Sequence, residues 1–229
     1  MEIHQYNLHT YALLKTPLSP LELPSGIARE VLIFSSDRLS AIVEPEISVE
    51  SFEHDSDRLM QAVLAHDRVI CQVFQQTSVL PLRFGTSFAS TASLENYLKT
   101  HTQQYLEKLE KLKGKGEYSL TFTPLLPPEQ TAPLETGGRQ YFLAKKQRYQ
   151  QLKDFQDAQT EEWQKACLLA TQTYPSAIVE PTPDREGRIY ILVTRQDEPL
   201  LLEQYQTLQQ TCPHWEIQLG AAFPPYHFL

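Results

Sequence analysis

Apolar residues in the first half of the chain recur at the spacings of short strands and of two amphipathic helices. The predicted strands cover residues 6–14, 31–34, 39–43 and 79–84, and the predicted helices cover residues 57–76 and 94–112. The second and third strands flank a polar turn and form a predicted hairpin. The predicted buried face of the first helix holds Leu59, Val63, Ile70, Val73 and Phe74.

The second half of the chain shows a different order of elements. The predicted strands cover residues 117–122, 176–180, 189–193 and 215–219, and the helical regions cover residues 139–174 and the stretch opened by Pro199. The first helical region is too long for one ordinary helix, so we expect a break near residues 157–161. Residues 189–193 are wholly apolar, which predicts a central strand. The order βαββαβ is that of a ferredoxin-like fold.

A boundary between the two halves falls where Gly114 and Gly116 follow the second helix. We therefore predict a two-domain α+β protein. The prediction comprises an N-terminal α+β domain over residues 1–114, a ferredoxin-like domain with an extended helical insertion over residues 115–219, and a tail over residues 220–229 that packs between the domains.

Charge and composition limit the classes of partner. The chain has 20 Lys and Arg against 28 Asp and Glu, a net charge of −8, with no compensating basic run. Nucleic-acid binding depends on neutralising phosphates, so this composition argues against a nucleic-acid partner. The chain has no apolar stretch long enough for a membrane span, and its start lacks the pattern of a signal peptide. We expect a soluble intracellular protein with no membrane partner and three reduced cysteines.

The residues that could carry chemistry have simpler structural interpretations. His66 and Asp67 are adjacent, but neighbouring helical side chains diverge by about 100° and cannot orient each other. His66 shares a helix face with Ile70, which predicts a buried histidine with satisfied hydrogen bonds. Cys71 has apolar neighbours and no nearby base. With no metal-ligand spacing and no phosphate-binding glycine loop, we predict no catalytic, cofactor or metal site and a function in binding.

Two segments are candidates for structural or partner contacts. Arg83 lies between apolar neighbours after Pro81, which favours a buried guanidinium with a carboxylate or carbonyl partner; the alternative is an arginine offered to a partner protein. The tail carries three aromatic residues and two prolines in residues 223–228. Its prolines stiffen it and lower the entropy lost on docking, so it either packs on the protein or binds a partner.

These segments together resemble the gas vesicle protein F/L family. The resemblance rests on residues 80–86 with their Arg-Phe-Gly-Thr core, the helix bearing His66 and Asp67, residues 138–146, and the closing Pro-Pro-Tyr-His-Phe. Phe223 and Ala221-Ala222 depart from the expected tail motif, which leaves the F and L subfamilies open, with F favoured by the length and the compact second half. The contact residues that the resemblance and the two segments single out are Arg83, Phe84, Gly85, Tyr141, Phe223, Pro224, Pro225, Tyr226 and Phe228.

The resemblance implies a non-enzymatic role in gas vesicles, the gas-filled protein shells that give buoyancy. It implies contact with the small hydrophobic shell subunit and with other gas vesicle proteins during vesicle formation. It also implies a location in the vesicle with a soluble cytoplasmic pool, and two α+β domains. Two alternatives stay open on the residues alone. They are a ferredoxin-like small-molecule sensor or regulatory module, and a hydrolase or transferase with a pocket of perturbed titratable groups.

Overall fold

The computed structural model describes residues 7–47, 52, 55–128, 138–180 and 186–229. It divides the chain into two compact units, residues 1–117 with 222–229 and residues 118–221, and each is described below by itself. Both combine helices with mainly antiparallel sheet. The predicted α+β class is confirmed.

Unit 1 is built on a five-stranded sheet with two helices. Its elements are β1 (Leu8–Lys15), β2 (Leu32–Ser36), β3 (Leu39–Pro45), α1 (Ser56–Phe74), β4 (Val79–Pro81), β5 (Ser87–Phe88) and α2 (Thr91–Leu112). The order is β2-β3-β1-β4, with β5 also paired to β1, and the strand pairs are antiparallel. The predicted hairpin is confirmed as β2 and β3, with Asp37 in the left-handed region (φ 57°) at its turn.

Strand β1 is buried along nearly its whole length rather than on one face. Residues 8–14 are all buried, and both α1 and α2 pack against this strand. A strand covered on both faces needs no polar alternation. The predicted strand over residues 79–84 is too long: β4 ends at Pro81, the Leu82 N–H makes one more bond to the Tyr11 carbonyl (2.9 Å), and the Arg83–Thr86 turn then begins.

A buried carboxyl group holds the loop before β2. Glu44, fully buried on β3, accepts hydrogen bonds from the backbone N–H groups of Ile27 (2.8 Å) and Ala28 (2.8 Å), from that of Arg29, and from the Tyr11 hydroxyl. A Cβ atom at Gly26 would lie 2.2 Å from Glu44 Oε2, so only glycine fits there. Burial, followed by this hydrogen bond, raises the pKa of Tyr11.

Among the described residues, unit 2 holds a four-stranded sheet, two α-helices and a 3-10 turn at Arg195–Asp197. Its elements are β6 (Lys115–Pro124, which begins in unit 1), α3 (Arg139–Thr173), β7 (Ile178–Glu180), β8 (Gly187–Thr194), α4 (Glu198–Thr211) and β9 (Trp215–Leu219). The strand order is β7-β8-β6-β9, with antiparallel pairs at both ends. Strand β8 is interior, as its apolar sequence predicted.

Helix α3 runs unbroken for 35 residues, so the predicted break near residues 157–161 is wrong. The helix contains no glycine or proline, and an exposed Glu161–Lys165 ion pair one turn apart spans the end of the expected break. Its second half packs on the sheet through Trp163, whose ring lies 5.1 Å from that of Phe122. Residues 139–154 are almost entirely exposed, and we call them the projecting segment.

Candidate partner-binding surface

The C-terminal tail, residues 222–229, belongs to unit 1 and is fixed there by backbone hydrogen bonds. Phe223 and Glu117 form a two-way antiparallel bridge, with N–O distances of 2.8 and 2.9 Å. Pro224 and Pro225 follow and are buried. Because prolines donate no hydrogen bond, they end the pairing without leaving unsatisfied N–H groups.

Glu117 anchors the tail a second time through its side chain. This buried carboxyl accepts hydrogen bonds from the His227 backbone N–H (2.9 Å) and from His227 Nδ1 (2.6 Å). Both carboxyl oxygens are therefore occupied by one residue. The contact holds the chain in place just beyond the two prolines.

Tyr226 joins the tail to helix α1. Its hydroxyl donates to Asp67 Oδ1 at 2.7 Å, and its side chain packs against a core that includes residues of β1, β3, α1 and β4. Burial, then the hydrogen bond to Asp67, raises the pKa of Tyr226. Burial and the same carboxyl raise the pKa of the neighbouring Cys71 thiol to about 12, which makes it a poor nucleophile.

His66, the neighbour of Asp67, points in another direction and belongs to a buried histidine pair. His66 Nε2 donates to the Leu82 carbonyl (3.0 Å), so its Nδ1 accepts from His9 Nε2 (2.9 Å). Burial lowers the pKa of both rings, and the pKa of His9 falls to about 4. The predicted buried, hydrogen-bonded His66 is confirmed, and Asp67 is committed to the tail.

The Arg-Phe-Gly-Thr segment forms a tight turn after β4. The Thr86 backbone N–H (3.0 Å) and hydroxyl (2.7 Å) both donate to the Arg83 carbonyl, and Gly85 adopts φ +90°. Phe84 points inward, with its ring 5.6 Å from those of His9 and His66.

The prediction that Arg83 is at least half-buried and paired is wrong. Its side chain is exposed, and within the described residues it has no hydrogen bond or ion pair. The strand stops at Pro81, so strand alternation no longer sets the direction of Arg83, and the turn points Phe84 inward instead.

The remaining predicted contact residues are divided between the two units. Phe223 is 45% exposed, whereas Phe228 is half-buried beside the anchored Tyr226. Tyr141 is 54% exposed and lies in unit 2, on the projecting segment. Within unit 1, the structure brings the tail to α1 through Asp67 and the Arg83–Gly85 turn to α1 through His66.

Sequence reasoning missed an exposed apolar stripe on α1. Met60 (59% exposed), Val63 (37%) and Leu64 (61%) lie on the helix face that also carries Asp67. Val63 was predicted to be buried, which is wrong. Their spacing of three and four residues was visible in the sequence, as a second apolar face beside the one ending in Ile70.

Comparison with known proteins now identifies the family. A sequence model of gas vesicle synthesis protein GvpL/GvpF matches residues 7–229. The chain belongs to the GvpL/GvpF family. The resemblance stated from the motifs is confirmed. No curated protein matches the chain at a significant level.

Two solved GvpF structures share the fold. GvpF from Anabaena sp. PCC7120 aligns with a TM-score of 0.71 at 15% identity, covering 97% of this chain and 95% of its own. GvpF from Microcystis aeruginosa aligns with a TM-score of 0.67 at 19% identity, covering 97% and 98%. In the part of the chain that the structure describes, no helix is long and apolar enough to cross a membrane.

Proposed function

We propose that this protein is a non-enzymatic assembly factor and minor component of gas vesicles that binds the hydrophobic shell subunit. The observation that carries the proposal is the GvpL/GvpF family match, which spans residues 7–229. The protein acts from a soluble cytoplasmic pool and becomes part of the vesicle. Its partners are the shell subunit and other gas vesicle proteins, without nucleic acid or membrane.

The contacts and burial of the residues that could carry chemistry support a role in binding. His66 is neutralised by burial and bonded to Leu82, Asp67 holds Tyr226, and the pKa of Cys71 is far above neutrality. None of the three is free to exchange protons with a substrate or to attack one. The cavity between α3 and α4 in unit 2 has a volume of about 20 Å³, the space of a single water. This cavity is too small to hold a small-molecule ligand that unit 2 would sense.

The stripe of Met60, Val63 and Leu64 is the surface we assign to the shell subunit. Three adjacent exposed aliphatic side chains on a rigid helix suit an apolar partner segment. The tail supports this helix one to two turns further on, through Tyr226 and Asp67. Covering an apolar part of the shell subunit would keep that subunit soluble until it polymerises.

The organisation of the chain is part of the same proposal. The strand order β7-β8-β6-β9, with β6 and β8 side by side, supports a ferredoxin-like second domain over residues 115–219. We propose residues 1–114 as the first domain. That the tail over residues 220–229 lies between the domains stays a prediction. Limited proteolysis with cleavage near residues 113–116 and two resistant fragments would support the boundary.

Co-expression with the shell subunit tests the function. We expect the wild-type protein to co-purify with the shell subunit and to raise its soluble fraction. The double variant Met60→Ser/Leu64→Ser should lose most of both effects, because it removes the apolar contact without touching the core. The control Leu200→Ser/Leu202→Ser also replaces two exposed apolar residues by serine, on α4, and should behave as the wild type.

Each outcome of this experiment tests a separate part of the proposal. If the wild-type protein neither co-purifies nor solubilises the shell subunit, the proposed binding is wrong. If binding survives in the α1 variant, the assignment of the surface is wrong and the binding itself stands. Absence of the protein from isolated vesicles would contradict its place as a vesicle component.

A further inference from the structure

One face of α3 stays exposed from its first turn to residue 168. Side chains that recur at intervals of three and four residues share a face of an α-helix. On the side opposite to Trp163, Ala166 and Ala170, which pack towards the sheet, nine exposed side chains follow this spacing. They are Arg139, Leu143, Lys146, Gln150, Lys153, Asp157, Glu161, Gln164 and Leu168.

Charge is segregated along this helix. Residues 139–153 hold five cations and no anion, whereas residues 154–162 hold four anions and no cation. Glu162 is turned towards the sheet, where it accepts hydrogen bonds from His214. The carboxylates of Asp154, Asp157 and Glu161 are exposed. The outward side of α3 is therefore basic over residues 139–153 and acidic over residues 154–161.

We propose that this face binds a second copy of the chain, with the two α3 helices antiparallel about a twofold axis between Lys153 and Asp154. In that register Lys146 of each copy faces Glu161 of the other, and Gln150 faces Asp157. Lys153 faces Asp154 at the axis. The overlap spans residues 139–168, about 45 Å of helix.

The order of charges along α3 favours an antiparallel second copy over other partners. A parallel arrangement would set cations against cations, and an anionic lipid surface or nucleic acid would be repelled by the acidic half of the same face. A partner that complements both halves must present the opposite order of charges, and the same helix running the other way does so. Such an interface is self-complementary, as twofold symmetry requires.

Apolar residues mark the ends of the proposed contact. Leu143 is 54% exposed and Leu168 is 57% exposed. In the antiparallel register Leu143 faces Gln164 of the second copy, one turn from Leu168, so these leucines bury each other at both ends. Phe142, 70% exposed, flanks the same face and would be partly covered as well.

The contacts that these side chains make within the helix do not oppose the pairing strongly. Glu161 pairs with Lys165 at 2.9 Å, and Gln150 donates to Asp154 at 2.8 Å, both in exposed positions. Exposed pairs of this kind contribute little free energy, so exchanging or sharing them is inexpensive. Pairing stabilises the projecting segment most, because an unpacked helix of this length is only marginally stable on its own.

Sedimentation velocity of the purified full-length chain tests the proposal, independently of any shell subunit. We expect a monomer–dimer equilibrium that weakens between about 0.05 M and about 0.5 M NaCl, since the pairs are screened. Lys146→Glu and Glu161→Lys should each weaken dimerisation about tenfold or more, because each variant creates two like-charge contacts per dimer. The double variant Lys146→Glu/Glu161→Lys should restore it.

The control Lys111→Glu makes the same charge change on an exposed position of α2 and should leave dimerisation unchanged. Circular dichroism establishes that each variant is folded. A chain that stays monomeric at low salt overturns the proposal, and so does a double variant that stays as weak as the single ones. A monomeric wild type that instead sediments with phosphatidylglycerol vesicles through Lys146 overturns it and assigns the face to anionic lipid.

Discussion

The C-terminal tail and the projecting segment of α3 are both rich in aromatic residues, yet the first is fixed on a core and the second stands exposed. The tail has no regular structure, so its backbone needs partners, which it finds in Glu117. The helix satisfies its own backbone and can extend beyond the sheet without cost in hydrogen bonds. Backbone hydrogen bonding, rather than apolar content, therefore determines which of the two segments docks on a core.

Removing the tail should produce the largest effect of the changes that test this comparison. Deletion of residues 223–229 exposes the core under Tyr226 and leaves buried Glu117 without His227. We expect a loss of about 3–5 kcal/mol in the free energy of unfolding, measured by urea denaturation. An unchanged denaturation curve would show that the tail rests on unit 1 without stabilising it.

Acid should reveal how much stability the buried pair of His9 and His66 contributes to unit 1. The pKa of His9 is about 4 in the folded protein and about 6.5 when unfolded, and that of His66 is lowered too. Their contribution is therefore complete above pH 6.5 and is lost as the pH falls towards about 4. We expect His9 alone to cost about 2 kcal/mol by a pH of about 5.

Urea denaturation at a pH of about 7.5 and of about 5 measures this loss. The variant His9→Gln keeps a donor towards His66 and removes one titrating ring, so its stability should depend less steeply on pH. Equal slopes for the variant and the wild type would contradict the assignment to this pair.

A single hydroxyl group gives the smallest and sharpest test. Tyr226→Phe removes the donor to Asp67 and should cost about 1–2 kcal/mol, because a partly buried carboxyl loses its partner. Tyr141→Phe makes the same chemical change on the projecting segment, where the ring is exposed, and should change stability by less than about 0.5 kcal/mol. Thermal denaturation of the two variants measures both losses of stability. Equal losses would contradict the expected difference between the tail and the projecting segment.

Some elements could be predicted because their physical causes are local. The hairpin of β2 and β3 follows from two apolar runs around a polar turn, and the end of α2 follows from Gly114, whose φ is +69°. The family could be recognised because the Arg-Phe-Gly-Thr and Pro-Pro-Tyr-His-Phe segments are short and specific. The break predicted in α3 is absent because residues 139–173 contain no glycine or proline that would interrupt the helix, although 35 residues exceed the usual helix length.

The contact residues were harder to place, because exposure depends on what packs where. Nothing local distinguishes Arg83, which is exposed, from Phe84, which lies against His9 and His66. Val63 was assigned to a buried face and proved to belong to an exposed stripe. Glu44 is fully buried and accepts four hydrogen bonds, yet no feature of the sequence distinguished it from other glutamates.

By itself, the sequence determined the α+β class, most of the element order and the family, since these depend on periodicity, turn chemistry and short motifs. Folding of the whole chain is what brings Asp67 and Glu117 to the tail and His66 to His9. Those contacts join residues 57 to 159 positions apart. Which distant groups meet is set by the packing of whole elements, and no local pattern encodes it.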